Sequence, residues 1–209
     1  MLQLKKKTVD RGLLASLIVK DINSGGLPPG GWLKQIDLEQ RYGCSRLDVR
    51  RALDQLVIKH IVQHIPNRGY YAQAPNLEQL ADIREIRVAL ECAAVDQMDI
   101  DGADLDALED IAKRFSLMVQ QGTLFERYDT NLAFHRFIYA LCRNKEMVLL
   151  IEEIRNRYPS ATVATWTTHA RTEQSDREHF LMIEALRARD SERLKKLIAA
   201  HIRQVPVEE

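Results

Sequence analysis

The chain has 209 residues, with 30 Lys and Arg against 30 Asp and Glu, so its formal net charge is zero. Hydrophobic residues make up 45% of the sequence, which is enough for a packed core and excludes a chain disordered throughout. No apolar run reaches the roughly 18 residues of a membrane-spanning helix, so no membrane partner is expected. Three scattered cysteines without a CxxC pair, and a start without the apolar stretch of a secretory signal, predict a cytoplasmic location.

The charge is unevenly distributed along the chain. Residues 1–75 contain 12 Lys and Arg against 6 Asp and Glu, a formal charge of +6. Residues 76–209 contain 18 Lys and Arg against 24 Asp and Glu, a formal charge of −6. This asymmetry predicts two domains that divide at Ala74-Pro75-Asn76, and the basic domain is the one that a polyanion would attract.

The basic domain begins with three predicted helices. Apolar residues recur at helical spacing from Leu14 to Ile18, and the glycine-rich run 25–31 ends the helix that they mark. Gly43 favours the end of the second helix, and Ser45 is a favourable N-cap for the third. The predicted helices cover about residues 9–24, 35–42 and 46–59.

A hairpin is predicted to follow the third helix. Two short β-prone runs, 61–65 and 70–72, surround a turn that contains Asn67, Arg68 and Gly69. The order of three helices and a two-stranded hairpin is typical of a winged helix-turn-helix. The turn then forms a basic wing tip, which suits contact with the DNA backbone or the minor groove.

The third helix carries one apolar face and one basic face. Its apolar stripe consists of Val49, Ala52, Leu53 and Leu56. Arg46 and Arg50 lie four residues apart on another face, with Arg51 beside them. Guanidinium groups at the start of such a helix pair with guanine edges or grip phosphates, and the helix N-terminus at Ser45 also favours a phosphate. The alternative is a charged face that is merely solvated.

The run from Gly26 to Tyr71 resembles the DNA-binding domain of the GntR family of bacterial transcription regulators. The matching residues are Leu27-Pro28-Pro29-Gly30, Leu33, Asp37-Leu38, Gly43-Cys44-Ser45-Arg46, Val49-Arg50, Ala52-Leu53, Leu56 and Arg68-Gly69. The resemblance implies that Arg46, Arg50, Arg68 and Gly69 contact DNA.

The chain departs from the GntR pattern at two places in the third helix. The family usually has Thr-Pro after the first arginine and Glu after the second. This sequence has Leu47-Asp48 and Arg51 at those positions. We therefore expect an operator that differs from those of typical members, with Arg51 as an additional contact.

The acidic domain consists of helical patterns without a credible strand. The patterns cover about residues 77–98, 103–121, 123–143, 145–158, 173–189 and 190–204. Long helices joined by short loops form antiparallel bundles, in which sites lie between facing helices. The fold class predicted for the whole chain is mainly α, a winged helix-turn-helix followed by an all-helical antiparallel bundle.

Three histidines of this domain occupy apolar stripes on three predicted helices. They are His135, His179 and His201, and Asn131 lies one turn before the first. Imidazoles that meet in a bundle core make a metal site. The alternative is that each histidine is an ordinary core residue with its own partner, and spacing alone leaves both interpretations open.

The acidic domain resembles the ligand-binding FCD domain of the FadR-like branch of the same family, in its short VanR-like form. The matching residues are Ile83-Arg84-Glu85-Ile86-Arg87-Val88-Ala89-Leu90-Glu91, Phe134-His135-Arg136, Asn144, Glu178-His179 and Ala200-His201. Metal-binding members have one Asp and three His at these positions, and here Asn131 replaces the Asp. The resemblance implies a divalent ion, with zinc expected first and nickel as the alternative, or a site that has lost its metal and binds a ligand directly.

Arg87 is a further candidate because it shares a helix face with apolar residues, where an inward guanidinium needs an anion. The resemblance implies an organic-acid effector as that anion. The alternative is an internal ion pair with a residue such as Glu91. Tyr158, Trp166 and His169 lie near the polar stretch 160–172 and are candidates to line or cover the pocket.

These features predict a transcriptional regulator rather than an enzyme. Its expected partners are an operator in double-stranded DNA, a small-molecule effector that is an organic acid, and a second copy in a homodimer. Two alternatives remain: a metal-dependent, hydrolase-like domain fused to a DNA-binding module, and a direct metal sensor without an organic ligand.

Overall fold

The computed structural model describes residues 11–74, 76–157 and 169–204. These residues form two compact units that are mainly helical, as the sequence predicts. No helix in these three ranges is both long enough and apolar enough to cross a membrane. Tyr158 and Trp166, which the sequence suggests as pocket residues, lie outside the described residues.

The first unit is a winged helix-turn-helix. Its elements are α1 (Arg11–Asn23), α2 (Gln35–Tyr42), α3 (Arg46–Ile58), β1 (Val62–Ile65) and β2 (Gly69–Ala72). The two strands pair antiparallel, with Val62 opposite Ala72. Trp32 forms an isolated bridge with Tyr71, which joins the segment before α2 to the wing.

The core of the first unit fixes which face of α3 is available. The predicted apolar stripe is the buried face: Val49 and Leu53 are fully buried, Leu56 is 1% exposed and Ala52 is 2% exposed. These residues pack in one core with Leu14 and Ile18 of α1. The three arginines of α3 are therefore left exposed.

The ends of α2 and α3 use the residues that the sequence suggests. Gly43 ends α2 with a φ of 65°, in the left-handed region that glycine adopts without strain. Ser45 caps α3, since its Oγ accepts a hydrogen bond from the Asp48 backbone N–H at 3.2 Å. The same hydroxyl donates to Asp48 Oδ2 at 2.6 Å. Asp48, a departure from the GntR pattern, thus completes the cap.

The second unit is an antiparallel arrangement of helices around one core. Its helices are α4 (Leu77–Val95), α5 (Leu105–Gln121), α6 (Leu124–Ala140), α7 (Lys145–Arg157), α8 (His169–Arg187) and α9 (Ser191–Arg203). Each contributes to the core, for example through Ala94, Leu108, Phe134, Ile151, Met182 and Leu197. Helix α5 packs on α6 and α8, whereas α9 packs on α4 and α8. Residues of α6, α8 and α9 such as Ile138, Ile183 and Ile198 belong to the same core.

Helices α4 and α6 end three residues earlier than the sequence pattern predicts. Met98 and Cys142 form an isolated antiparallel bridge, and Asp99 N–H donates to the Leu141 carbonyl at 2.8 Å. The chain leaves both helices in order to make this pairing. Apolar residues there satisfy the helical period equally well, so periodicity alone does not reveal the change.

Helix α8 begins at His169, four residues before the predicted start at 173. Its polar first turn is held by Thr172, which is fully buried and donates to the His169 carbonyl at 2.8 Å. The side chain of His169 is 63% exposed, and its Nε2 lies 3.2 Å from Glu173. The position of His169 therefore gives no support for a role in lining a buried pocket.

Candidate functional site

The three inward histidines of the second unit lie together. His135 of α6, His179 of α8 and His201 of α9 each place one ring nitrogen within 4.8 Å of the others. The Nε2 atoms of His135 and His201 are 3.1 Å apart. The side chains are 2%, 0% and 9% exposed, respectively, so the cluster is enclosed by the helices. We call these three residues the histidine cluster.

Burial makes the imidazoles of the histidine cluster available as neutral ligands. It lowers the pKa of His135 and His179 well below the usual value, because a charged ring loses its hydration there. Both ring nitrogens of His179 and Nδ1 of His135 have no hydrogen-bond partner within the described ranges. Buried polar atoms normally have a hydrogen-bond partner, so these ring nitrogens are available to bind a ligand.

Aromatic side chains hold the His179 ring in place. The ring of Phe134 stacks on it, with centroids 3.9 Å apart and an angle of 19° between the planes. Phe115 approaches at 4.9 Å. Both phenylalanines are fully buried, so they exclude water from this side of the ring. The orientation of His179 is therefore set by packing rather than by hydrogen bonds.

A carboxylate fixes the orientation of His201. Glu178 Oε2 lies 2.6 Å from His201 Nδ1, which leaves Nε2 of that ring directed at the cluster. Arg171 and Gln174 donate to the two oxygens of Glu178 at 3.1 and 2.8 Å. Burial raises the pKa of Glu178, but the hydrogen bond from His201 and the charge of Arg171 outweigh it and hold the pKa below its ordinary value.

The sequence analysis includes Glu178 only in the matching Glu178-His179 pair and does not anticipate this role. The usable signal is the spacing of Arg171, Gln174 and Glu178, one helical turn apart on α8, which places them on one face. A carboxylate that accepts from the distal nitrogen of a metal-binding histidine is a common second contact of metal sites.

Asn131 lies one turn before His135 on α6 and is 8% exposed. Its Oδ1 is buried and has no hydrogen-bond partner among the residues described. An amide oxygen is a neutral metal ligand, whereas a carboxylate oxygen is charged. A site that includes Asn131 therefore has one negative charge fewer than a site with aspartate. The unpartnered oxygen is consistent with the ligand role predicted for Asn131.

The predicted effector residue Arg87 is engaged in an ion pair. Its Nε donates to Glu91 Oε1 at 2.8 Å, which is the internal pairing that the sequence left open. Arg155 of α7 donates to Glu91 Oε2 at 3.1 Å, and the Tyr139 hydroxyl also donates to Glu91. Burial raises the pKa of Glu91, but the two guanidinium groups outweigh it and lower the pKa. We call these four residues the Glu91 cluster.

The Glu91 cluster borders the histidine cluster through Tyr139. The Tyr139 and His135 rings are nearly parallel, with centroids 6.2 Å apart and planes at 9°. The Arg155 guanidinium lies 5.7 Å from the Tyr139 ring centroid. Two arginines against one carboxylate leave one positive charge in excess beside the imidazoles. An anionic ligand would be favoured at this position.

In the first unit, the predicted DNA contacts are on the surface. Arg46, Arg50 and Arg51 are exposed on α3, and Asn67 and Arg68 are exposed at the wing turn. Arg46 Nε donates to Gln35 Oε1 at 3.1 Å, which restrains that guanidinium.

The turn of the wing needs unusual backbone angles. Asn67 has a φ of 61° and Gly69 a φ of 98°. Ser45 is half-buried and uses its hydroxyl in the cap of α3, so its side chain has a structural role at the start of that helix.

Two family profiles match the chain. One is described as bacterial regulatory proteins of the gntR family and matches residues 13–71. The other is described as the FCD domain and matches residues 82–204. The chain belongs to the GntR family. This GntR protein therefore has a DNA-binding domain followed by an FCD effector-binding domain, as the resemblance predicts.

Curated relatives extend over most of the GntR chain. The regulator BphR of Paraburkholderia xenovorans is 29% identical over 194 residues, which cover 87% of this chain and 78% of BphR. The regulator YdhC of Bacillus subtilis is 25% identical, with coverage of 87% and 83%. Both are named helix-turn-helix transcriptional regulators, and the GntR protein is accordingly a regulator rather than an enzyme.

A solved structure has the same fold as this GntR chain. The structure of McbR/YncC from E. coli superposes with a TM-score of 0.82 at 22% identity. The alignment covers 94% of this chain and 95% of McbR/YncC. The winged helix-turn-helix and the helical bundle are therefore the fold of both proteins.

Proposed function

We propose that this GntR regulator senses an organic acid at the histidine cluster, where His135, His179 and His201 hold a divalent metal ion. The single observation that carries the proposal is the convergence of three buried imidazoles from three helices, with ring nitrogens of His135 and His179 left without a hydrogen-bond partner among the described residues. Three imidazoles are a ligand set that Zn²⁺ accepts while keeping a further position open, and nickel is the alternative ion. The bound ion would supply an electrophilic position for a carboxylate.

The residues of the chain divide the work at this site. Glu178 holds His201 so that its Nε2 faces the cluster, and Asn131 offers a neutral oxygen beside His135. Arg87 and Arg155 supply the excess positive charge next to the imidazoles. This combination favours a ligand with at least one carboxylate, since its negative charge would lie between the metal ion and the two guanidinium groups.

Effector binding is proposed to change operator affinity through the helices that carry the site. An effector acts only if it has different affinities for the two arrangements of the protein. We also propose a homodimer, because paired half-sites one helical turn apart require two winged helix-turn-helix domains. Light scattering of the free protein and of its operator complex tests this assembly.

The metal is tested by elemental analysis of the purified protein. We expect about one divalent ion per chain in the wild type and none in the double variant His179→Ala with His201→Ala. His169→Ala is the matched control, since His169 belongs to the same unit and is exposed. A folded wild type that neither copurifies with a metal nor takes one up would contradict the metal part of the proposal.

The effector is tested by thermal unfolding with a panel of organic acids, with and without a chelator. A ligand at about 100 times its Kd stabilises the folded state by about 2.7 kcal/mol, which such a screen detects. Stabilisation that the chelator abolishes supports an acid bound at the metal. Stabilisation that survives the chelator means that the acid binds to protein side chains alone. A separate titration of operator DNA with and without added metal tests the third possibility. If metal alone changes operator affinity, the protein is a direct metal sensor.

A further inference from the structure

A groove of about 380 Å³ lies in the first unit between the start of α3 and the wing. Its lining includes Trp32, Ile36, Lys34, Arg46 and Arg68. Trp32 is 55% exposed and Ile36 is 59% exposed, although both are large apolar side chains. Neither residue was assigned a role by the sequence motifs, and an exposed tryptophan in a groove calls for an explanation.

The position of the Trp32 ring is fixed by its neighbours. The ring stacks with Tyr71 of β2 at a centroid distance of 6.4 Å and an angle of 17°. Lys34 Nζ lies 4.8 Å from the centroid of the indole. A Cβ atom at Gly69 would lie 3.2 Å from Trp32 Nε1, so the indole edge lies against the wing turn. The indole is therefore a rigid part of the groove.

The charge of the groove has one sign. Lys34, Arg46 and Arg68 line it, and no acidic residue is among the lining residues. Arg46 is restrained at this place by its hydrogen bond to Gln35, at 3.1 Å. An apolar floor with a purely basic rim matches a sugar-phosphate strand, whose sugars present C–H faces between charged phosphates.

The location of the groove indicates which part of a DNA duplex it faces. A recognition helix occupies the major groove of DNA, and a wing tip reaches the backbone or the adjacent minor groove. The duplex element between these two grooves is a sugar-phosphate backbone. A groove between α3 and the wing therefore faces that backbone when the domain is on DNA.

We infer that this groove is a backbone-binding subsite, in which Trp32 packs against a deoxyribose while Lys34, Arg46 and Arg68 pair with the flanking phosphates. The inference rests on DNA binding by the GntR domain and is independent of the metal and of the effector. It assigns Arg46 to the backbone, whereas Arg50 and Arg51 remain the candidates for base edges. Contacts with the DNA backbone position the protein without reading the base sequence.

The first experiment compares binding to two duplexes of equal length. One is enriched from a random library by the wild-type protein, and the other is an unrelated sequence. Trp32→Ala should weaken binding to both duplexes by a similar factor of about ten, because the lost contact is apolar and does not depend on sequence. Ile58→Ala is the matched control, since Ile58 is 77% exposed on the same unit but does not line the groove.

The second experiment measures the dependence of binding on salt. The binding constant falls as salt rises, so the slope of log K against log salt concentration is negative. Lys34→Ala should make this slope less steep by about 1, because one phosphate contact is lost. Trp32→Ala should leave this slope unchanged. A Lys34→Ala protein with the wild-type slope would overturn the assignment of phosphates to the groove.

The third experiment uses the emission of Trp32 and also covers the case in which Trp32→Ala does not fold. The sequence has two tryptophans, so Trp166→Phe leaves Trp32 as the sole emitter. We expect DNA to reduce quenching of Trp32 by acrylamide at least twofold. Equal quenching with and without DNA, or a Trp32→Ala defect confined to the enriched duplex, would overturn the inference.

Discussion

Glu178 and His201 are joined by a contact of 2.6 Å between a carboxylate oxygen and Nδ1, and this contact determines which nitrogen of His201 faces the histidine cluster. The same oxygen of Glu178 is held by Arg171 at 3.1 Å. The orientation of a proposed ligand thus depends on a residue that is not itself a ligand. This arrangement permits a test that separates positioning from coordination.

We expect Glu178→Gln to weaken metal binding by about 10- to 100-fold, because the amide no longer fixes the tautomer of His201 as a carboxylate does. Glu173→Gln is the matched control, since Glu173 lies on the same helix and pairs with the exposed His169. Competition with a chelator of known affinity measures the change. Equal affinities for the two variants would show that Glu178 does not position a ligand.

Glu91→Gln should destabilise the second unit by about 3–5 kcal/mol at neutral pH, because two buried guanidinium groups lose their counter-charge. The pKa of Glu91 is lowered in the folded state, so its stabilisation is present above the unfolded pKa of about 4.3. It is lost as the pH falls through the folded pKa. The gap in unfolding free energy between wild type and variant should therefore narrow in acid.

Urea unfolding at a series of pH values measures this gap. Glu85→Gln is the control, since Glu85 pairs with Arg203 on the surface and its loss should change stability little. A Glu91→Gln protein that is as stable as the wild type at neutral pH would contradict the account of the ion pair.

Arg50→Ala should weaken binding to the enriched operator by about 1–3 kcal/mol if Arg50 reads a base, with a smaller effect on unrelated DNA. Lys59→Ala is the control, because Lys59 lies exposed at the other end of α3. Titrations at matched salt give both affinities. An unchanged operator affinity would remove Arg50 from the set of DNA contacts.

Ser45→Ala should lower the stability of the first unit by about 0.5–2 kcal/mol, since the N-cap hydrogen bond of α3 is lost. Leu47→Ala is a suitable comparison, because Leu47 is 55% exposed in the same turn and makes no cap. Thermal unfolding measures both variants. If Ser45→Ala weakens only DNA binding and leaves unfolding unchanged, the hydroxyl acts on DNA rather than in the cap.

Features that depend on the regular spacing of residues along one helix were predictable from the sequence. The burial of Val49, Leu53 and Leu56 follows from spacing, and the family match agrees with the winged helix-turn-helix that this spacing predicts. The inward direction of His135 and His179 was predictable for the same reason. Their convergence was not, because spacing along one helix gives no information on how neighbouring helices are rotated.

Contacts between distant residues were also beyond sequence reasoning. Arg155 reaches Glu91 across 64 positions of the chain, and nothing in the pattern of α7 marks it as a partner. Trp32 likewise gave no signal, since its exposure depends on how the wing folds back. A polar or aromatic residue acquires its role from its surroundings, whereas an apolar stripe is defined by its own spacing.

Tyr139 belongs to both clusters of the second unit, because its hydroxyl donates to Glu91 while its ring lies alongside His135. Arg155 also lies against the Tyr139 ring, so an anion that draws Arg155 away from Glu91 changes the surroundings of both ends of this tyrosine. A change in charge pairing between α4 and α7 is thus placed next to a ring that neighbours the imidazole of His135 on α6.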